Sequence, residues 1–372
     1  MSGVFNRRPW LRWTVPGAAV AGLVSGGLFL PTTASADGLP PLTAEQLLTD
    51  VQQSQVSGLS GRVSESVDLG LPSLPASLTG TSTSVTSLIS GTHSARVWMS
   101  GTDKSRVAIE AQGQETDIVR NGTTVWQWSS TAKSVTKLLL PSTTGTPRPS
   151  TGTALTPQQA AQQILQQVGT TSTVTTSSND VVAGRPAYEL VLKPKDAGSR
   201  IAQVRIAIDA KTKTALRVEI YSTQLNAPAV TIGFTRVDFA VPAASVFDFT
   251  PPAGATVTTK DVTKPADTTG SGTTSGTTQQ KPTITGTGWT QIATGHIDLS
   301  TLATQKKQQP SSGGGSSTSI TSLLAMLPTQ TGSWGTAHVL NGTLVSAVIT
   351  TDGRYAVGAV APDKLLAALP AK

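Results

Sequence analysis

Two short stretches constrain the architecture more than anything else in the chain. In Gln203–Asp209, Val204, Ile206 and Ile208 alternate with Arg205 and Ala207. In Ala215–Ser222, Leu216, Val218 and Ile220 alternate with Arg217, Glu219 and Tyr221. Successive strand residues point to opposite faces, so each stretch has one face to bury and one more polar face. That is the pattern of an antiparallel sheet packed on a single side. Strand-like segments recur at Leu59–Leu69, Ala95–Met99, Ser105–Ala111, Thr116–Val119, Val125–Trp128, Ser134–Leu140, Thr173–Thr176, Arg185–Leu192 and Val230–Phe239. Asn121-Gly122 between two of them is a strong hairpin signal.

Two helices interrupt this pattern. Leu42–Val56 begins with Thr43, which can cap, and Gln46 stands three residues on as its capping-box partner. Ala44, Leu47, Leu48 and Val51 share a face, and Gly58 follows the end. The second helix opens on Thr156-Pro157, a cap and a favoured first-turn proline. Ala160, Ala161, Ile164, Leu165 and Val168 form its apolar face, and Gly169 ends it. Helices need an apolar surface to cover, and the concave side of a curved sheet offers one. The expected fold class is therefore mainly β (α+β), a curved antiparallel sheet with two helices, followed by a small C-terminal β module.

The domain plan follows from composition. Residues 1–36 read as an export leader: Arg7, Arg8 and Arg12, an apolar run from Trp13 to Leu30, then Ala34-Ser35-Ala36 before Asp37. Arg7-Arg8-Pro9-Trp10-Leu11-Arg12 is also similar to a twin-arginine export motif. The chain has no cysteine, so it holds neither a disulfide nor a lipidated Cys. Thr258–Gly288 is rich in Thr, Gly, Ser, Lys and Pro and reads as a flexible linker. It separates a first domain, residues 41–257, from a β-rich module at 289–372. In that module strands are expected at Gln291–Leu299, Gly335–Leu340, Leu344–Thr350 and Tyr355–Ala361, with helices at Ile320–Leu327 and from Pro362-Asp363. Polar tracts at Leu71–Ser84 and Pro141–Pro157 are too long for hairpin turns and read as loops or flaps. A third interrupts the module at Gln305–Ser319.

Charge and motif content narrow the function. Without Arg7, Arg8 and Arg12, the 28 basic and 21 acidic residues leave a net charge of +4. That is too little for a nucleic-acid binder, which needs a clustered basic stripe. The chain has no G-x-S-x-G elbow, P-loop or dinucleotide fingerprint. His93, His296 and His338 are far apart with no second ligand at metal spacing, so neither a metal, a cofactor nor an enzyme is expected. Asn121-Gly-Thr and Asn341-Gly-Thr match a glycosylation sequon but read as turns between strands. Lys104, Arg106 and Arg205 read as solvated strand charges.

Four segments carry a resemblance. They are the helix Leu42–Val56 running into Gly58-Leu59-Ser60-Gly61; Asp117–Trp128 with its Asn121-Gly122 turn and aromatic strand; Val182–Pro194; and Val237–Phe239 through Phe247-Asp248-Phe249-Thr250-Pro251-Pro252-Ala253-Gly254-Ala255-Thr256-Val257. In order and spacing the chain from Pro41 to Val257 resembles the LolA/LppX/RseB superfamily of lipoprotein carriers, lipid carriers and sigma-factor regulators. Val182–Pro194 is similar to RseB-like proteins more than to classical LolA. The Ala/Thr/Gly-rich composition looks actinobacterial. The resemblance implies an unclosed β-barrel with helices over an apolar cavity, and an acyl chain or lipidated protein as cargo. The candidate cavity residues are Val97, Trp98, Met99, Trp126, Trp128, Tyr188, Leu190 and Phe234. Trp126 and Trp128, two apart on one strand, share a face; they either line the cavity with Val97 or Met99 or pack as core.

Three functions follow as expectations. One is an extracytoplasmic carrier of lipid or lipoprotein acyl chains. Another is an RseB-like regulator that binds a membrane protein such as an anti-sigma factor. The last is a structural wall protein, supported by the linker alone.

Overall fold

The structure is a computed structural model that describes residues 38–70, 90–111, 113–141, 156–168, 170–261, 282–299 and 324–369. The leader at 1–36, the tracts at 71–84 and 305–319, most of the tract at 141–157, the linker from 262 to 281 and residues 320–323 of the expected short helix lie outside the described residues.

Helix α1 spans Ala44–Gln53 and carries the expected capping box: the Gln46 amide N–H donates to Thr43 Oγ1 at 3.2 Å, and the Thr43 N–H donates to Gln46 Oε1 at 2.9 Å. The chain then forms β1 (Gly58–Asp68), β2 (Ser90–Ser100), β3 (Lys104–Ala111), β4 (Gln114–Asn121), β5 (Thr124–Ser129) and β6 (Ser134–Leu139). Helix α2 (Pro157–Val168) opens with a second capping box, between Thr156 and Gln159. It is followed by β7 (Ser172–Val182), β8 (Arg185–Pro194), β9 (Ile201–Asp209), β10 (Ala215–Ser222), β11 (Pro228–Asp238) and β12 (Thr256–Asp261).

These twelve strands form one curved sheet that is not closed into a barrel, in the order β12-β6-β5-β4-β3-β2-β1-β11-β10-β9-β8-β7. Every pairing is antiparallel except β12 with β6, which is parallel. No hairpin joins those two strands, so nothing local dictates their direction. Helix α2 lies over β10 and β11, and α1 against β7. Leu47 and Val51 of α1 and Ala160, Ala161 and Leu165 of α2 pack on Leu190, Leu192, Val204, Ile206, Ile208 and Val218. Gln158 ties the three layers together: its Nε2 donates to the Val51 carbonyl at 2.9 Å, and its Oε1 accepts from the Ala215 N–H at 2.6 Å.

A second sheet follows, built from β13 (Thr283–Thr285), β14 (Ile292–His296), β15 (Thr329–Gly332), β16 (Gly335–Asn341), β17 (Ser346–Thr350) and β18 (Arg354–Gly358), with helix α3 (Pro362–Ala368) on it. Strands enter the expected linker from both ends, as β12 and β13. Both are short and Thr-rich, and every residue in them is exposed, so no apolar alternation marks them. Trp289, at the expected start of the second module, belongs to the core of the first. It is 7% exposed, packs with the helix-covered cluster, and donates from Nε1 to Ser172 Oγ at 2.9 Å.

The two sheets are fastened by Arg200, itself only 6% exposed. Its guanidinium donates to the carbonyls of Val360 and Gly342 and to Asn341 Oδ1, while its backbone N–H donates to the Ala359 carbonyl. Asn341-Gly342 is therefore not a two-residue hairpin: Asn341 pairs with Ser346, and the wider loop is a docking surface. Ser222 Oγ donates to the Thr343 carbonyl, and the Thr343 N–H donates to the Leu69 carbonyl.

Replacing Arg200 by Met leaves the buried carbonyls of Gly342 and Val360 without their donor, a loss of about 2–4 kcal/mol. The expected outcome in urea is a separate, earlier transition of the second sheet, followed through Trp334 fluorescence. A single transition at the wild-type midpoint would show that Arg200 does not couple the sheets.

Candidate functional site

Register assigns each residue of the large sheet to one of two sides. Along one row, His93 opposes Glu65, Glu65 opposes Ile232, Ile232 opposes Val218, Val218 opposes Ile206, and Ile206 opposes Leu190. Leu190, Ile206 and Val218 are packed under α1 and α2, so this whole row lies on the helix side. The neighbouring rows give the rest of that side in β2 to β6. Val97 opposes Val107, which opposes Ile118; Ala95 opposes Ile109; and Val125 opposes Leu138.

The expected cavity residues divide between the two sides. Val97, Met99, Tyr188, Leu190 and Phe234 lie on the helix side by this register. Tyr188 and Leu190 are buried beneath the helices, and the Tyr188 hydroxyl donates to the Pro40 carbonyl at 2.9 Å. Phe234 and Val97 are buried in an adjoining cluster with Leu59 and Val63, and Met99 packs against it.

Trp98, Trp126 and Trp128 lie on the opposite side. Trp98 opposes Arg106, Trp126 opposes Val119 and Trp128 opposes Val135. That side has its own filling. A 3-10 turn at Ala244–Phe247 packs on β3 and β4, Phe247 is 1% exposed, and the Phe249 ring sits 5.5 Å from Trp126. Arg106 is not a solvated charge there. It bonds both oxygens of the buried Asp117, at 3.1 and 2.6 Å, and donates to the Val246 carbonyl at 3.1 Å. The three tryptophans thus share the side held by the Phe-x-Phe segment and face away from α1 and α2. Arg205 is likewise engaged, 3.4 Å from Glu189 and over the Tyr221 ring.

What remains on the helix side, away from α1 and α2, is a group of part-exposed apolar side chains, Val107, Ile109, Ile118, Val125 and Leu138, interspersed with Thr116, Arg120, Gln127 and Thr136 of the same rows. Its nearest member, Val107, packs against the buried cluster of Val97 and Phe234. Sequence reading missed these residues because aromatics draw attention and single Val and Ile residues do not. The signal was their shared parity with Val97 across the Asn121-Gly122 hairpin.

A polar pair stands on the helix side among buried apolar neighbours. Glu65 and His93 are directly opposed on β1 and β2, flanked by Val63, Val67 and Ala95, all buried. Burial pushes the Glu65 carboxyl above its ordinary value, and His93 pulls it back in part. His93 lies inside β2, ahead of the expected Ala95–Met99 segment, and its Nε2 is buried without a hydrogen-bond partner among the described residues.

Two open grooves are lined by described residues. One, of about 340 Å³, lies on the side of the tryptophans between Ser60, Arg62, Arg96, Trp98, Arg236 and Asp238. The other, of about 570 Å³, lies on the second sheet between Gln330, Trp334, Pro362, Asp363, Leu366 and Ala367. Among the described residues no three potential metal ligands come together, and no helix is long and apolar enough to cross a membrane.

No protein-family model and no curated protein matches the sequence. The fold is similar to several solved structures. The MucA/MucB complex of Pseudomonas aeruginosa aligns with 88% of this chain and 97% of its own at 13% identity, with a TM-score of 0.43. A LolA superfamily protein from Nitrosomonas europaea aligns with 56% and 99% at 12% identity and a TM-score of 0.24. A domain from Vibrio parahaemolyticus described as a putative outer membrane lipoprotein-sorting protein aligns with 52% and 92% at 11% identity and a TM-score of 0.21. At such values nothing about ligand or partner follows from the likeness.

The raised Glu65 value has a stability consequence. Below the ordinary value of 4.5 the carboxyl is neutral in both folded and unfolded chains; as pH rises through the folded value, ionisation penalises the fold. Glu65→Gln removes that penalty. Its melting temperature is expected to gain on the wild type between pH 4 and pH 7.5. A constant difference across that range would show that Glu65 is not desolvated in solution.

Proposed function

We propose that this protein is an extracytoplasmic carrier that shelters the acyl chain of a lipid or lipoprotein on the helix side of its large sheet. The observation that carries this reading is the part-exposed apolar lane of Val107, Ile109, Ile118, Val125 and Leu138, which meets the core at Val107. Apolar surface left in water costs roughly 25 cal/mol per Å², and an acyl chain laid on it recovers about 0.8 kcal/mol per buried methylene. Ligand sites of this kind are largely apolar with a few convergent polar groups, which describes the lane and its Glu65–His93 neighbour. The leader-like first residues support a place outside the cytoplasm.

A second reading, a regulator that holds a segment of a membrane protein such as an anti-sigma factor, is favoured by one feature of the second sheet. Its edge strand β15 is exposed along its length, and Gln330 of that strand borders the groove with Trp334 and Leu366. An exposed edge beside a groove can accept an added strand.

Native mass spectrometry of the protein, purified from its host without detergent, tests the carrier directly. Extra mass removable by organic solvent is expected, and the bare chain alone, together with a co-purifying single-pass membrane protein, would favour the regulator.

The side of the sheet is tested by two substitutions. Ile118→Asp, placing a charge in the lane, is expected to abolish binding of a fluorescent fatty acid and leave the melting temperature within a few degrees. Trp126→Ala, on the other side, is expected to cost about 2 kcal/mol of stability and leave binding intact. The reverse pattern would place the cargo on the side of the tryptophans.

A further inference from the structure

One row of directly opposed residues crosses the helix side of the sheet: His93, Glu65, Ile232, Val218, Ile206 and Leu190. Its last three members are core, and Ile232 packs against both core clusters. The first two are a carboxyl and an imidazole. Among the described residues Glu65 makes no hydrogen bond or ion pair, His93 Nε2 is buried without a partner, and the two groups act on each other only at a distance. Their neighbours in the same and adjoining rows are Val63, Val67, Ala95 and Ile232, and His93 is the one charge-bearing side chain acting on Glu65. Beside the imidazole stands Gly91, where an added Cβ would meet only His93 Nε2 within 4 Å, at 3.9 Å. Glu65 is half-buried, and an orphaned ring nitrogen in an apolar wall forgoes a hydrogen bond that water would have supplied.

We propose that Glu65 and His93 form the head-group site of the carrier, and that the head they take is uncharged and bears hydroxyls, as in an acylglycerol. This deepens the proposed function and rests on it. The lane that would hold the chain begins at Val97 and Val107, and Val97 lies ~13 Å along β2 from His93 at the usual strand rise. A hydroxyl both donates and accepts, so it satisfies the carboxyl oxygen and the imidazole nitrogen together. A phosphate or carboxylate head would be set against Glu65. An ammonium head would pair with Glu65 but leave His93 Nε2 unfilled.

The test compares three ligands of one chain length on the full exported protein: 1-monomyristoylglycerol, methyl myristate and myristate. The first is expected to bind about tenfold more tightly than the other two, the worth of one or two additional net hydrogen bonds. In the double variant Glu65→Val/His93→Val the row becomes apolar throughout. It should hold methyl myristate at least as well as the wild type and lose the preference for the glycerol head; Glu65→Gln should lose part of it. Equal binding of the three ligands by the wild type, or a preference that survives the double variant, overturns the head-group site and leaves the carrier standing. Failure of all three ligands to bind the wild type overturns the carrier reading and the site with it. Should the double variant not fold, the wild-type comparison and Glu65→Gln decide.

Discussion

Everything in the large sheet depends on the two-residue period of its strands. Once Leu190, Ile206 and Val218 are under the helices, register dictates which side chains of β1 to β6 share that side, because a shift by one residue would turn every one of them over. Ten pairings carry this parity from β7 across to β6, and the register shifts that four of them contain lie outside the row in which Glu65 meets Ile232. The assignment of the tryptophans to the other side is a result of that parity, and it does not rest on their chemistry.

Much of the fold could be read from the residues alone. Strands β1 to β11, the two capped helices and the Asn121-Gly122 hairpin all stand where alternation and turn chemistry put them. The exceptions have a common cause. Strands β12, β13 and β15 are exposed throughout, so burial never selected apolar residues at alternate positions. They exist because a neighbouring strand offers unpaired backbone groups, a cause that lies outside their own sequence. The polar start of β2, Ser90–Ser94, hid His93 in the same way.

The candidate site was less legible, and for a different reason. A tryptophan in a chain poor in aromatics invites a functional reading, yet Trp126 is held by Phe249 and Lys137 and takes part in closing the sheet with the Phe247–Phe249 segment. Trp289 shows the same limit from the other direction. Composition placed it beyond a linker, while its indole fills the core of the first sheet and bonds Ser172. Arg200 could not be foreseen either, since a buried arginine is explained only by the carbonyls that meet it, here from a loop some 140 residues on.

Among the described residues, the dimensions of the two layers leave part of the sheet beyond the reach of α1 and α2. Twelve strands at ~4.8 Å spacing extend over fifty ångströms across the sheet, even before curvature is considered. Two helices, each ~10–12 Å wide with side chains, cover less than half of that. Helix α2 is committed to β10 and β11, and α1 to β7, so their footprint ends before β1. On the far side of the sheet the problem is solved by Phe247, Phe249 and the Arg106–Asp117 pair. On the helix side beyond β1, Val107, Ile109 and Ile118 remain part exposed, and the row that is apolar under the helices turns into Glu65 and His93 where their cover ends. A carboxyl and an imidazole are poor choices for closing a core. They are good choices beside the proposed acyl-chain site, because a hydroxylated head can supply the hydrogen bond that the buried Nε2 of His93 lacks.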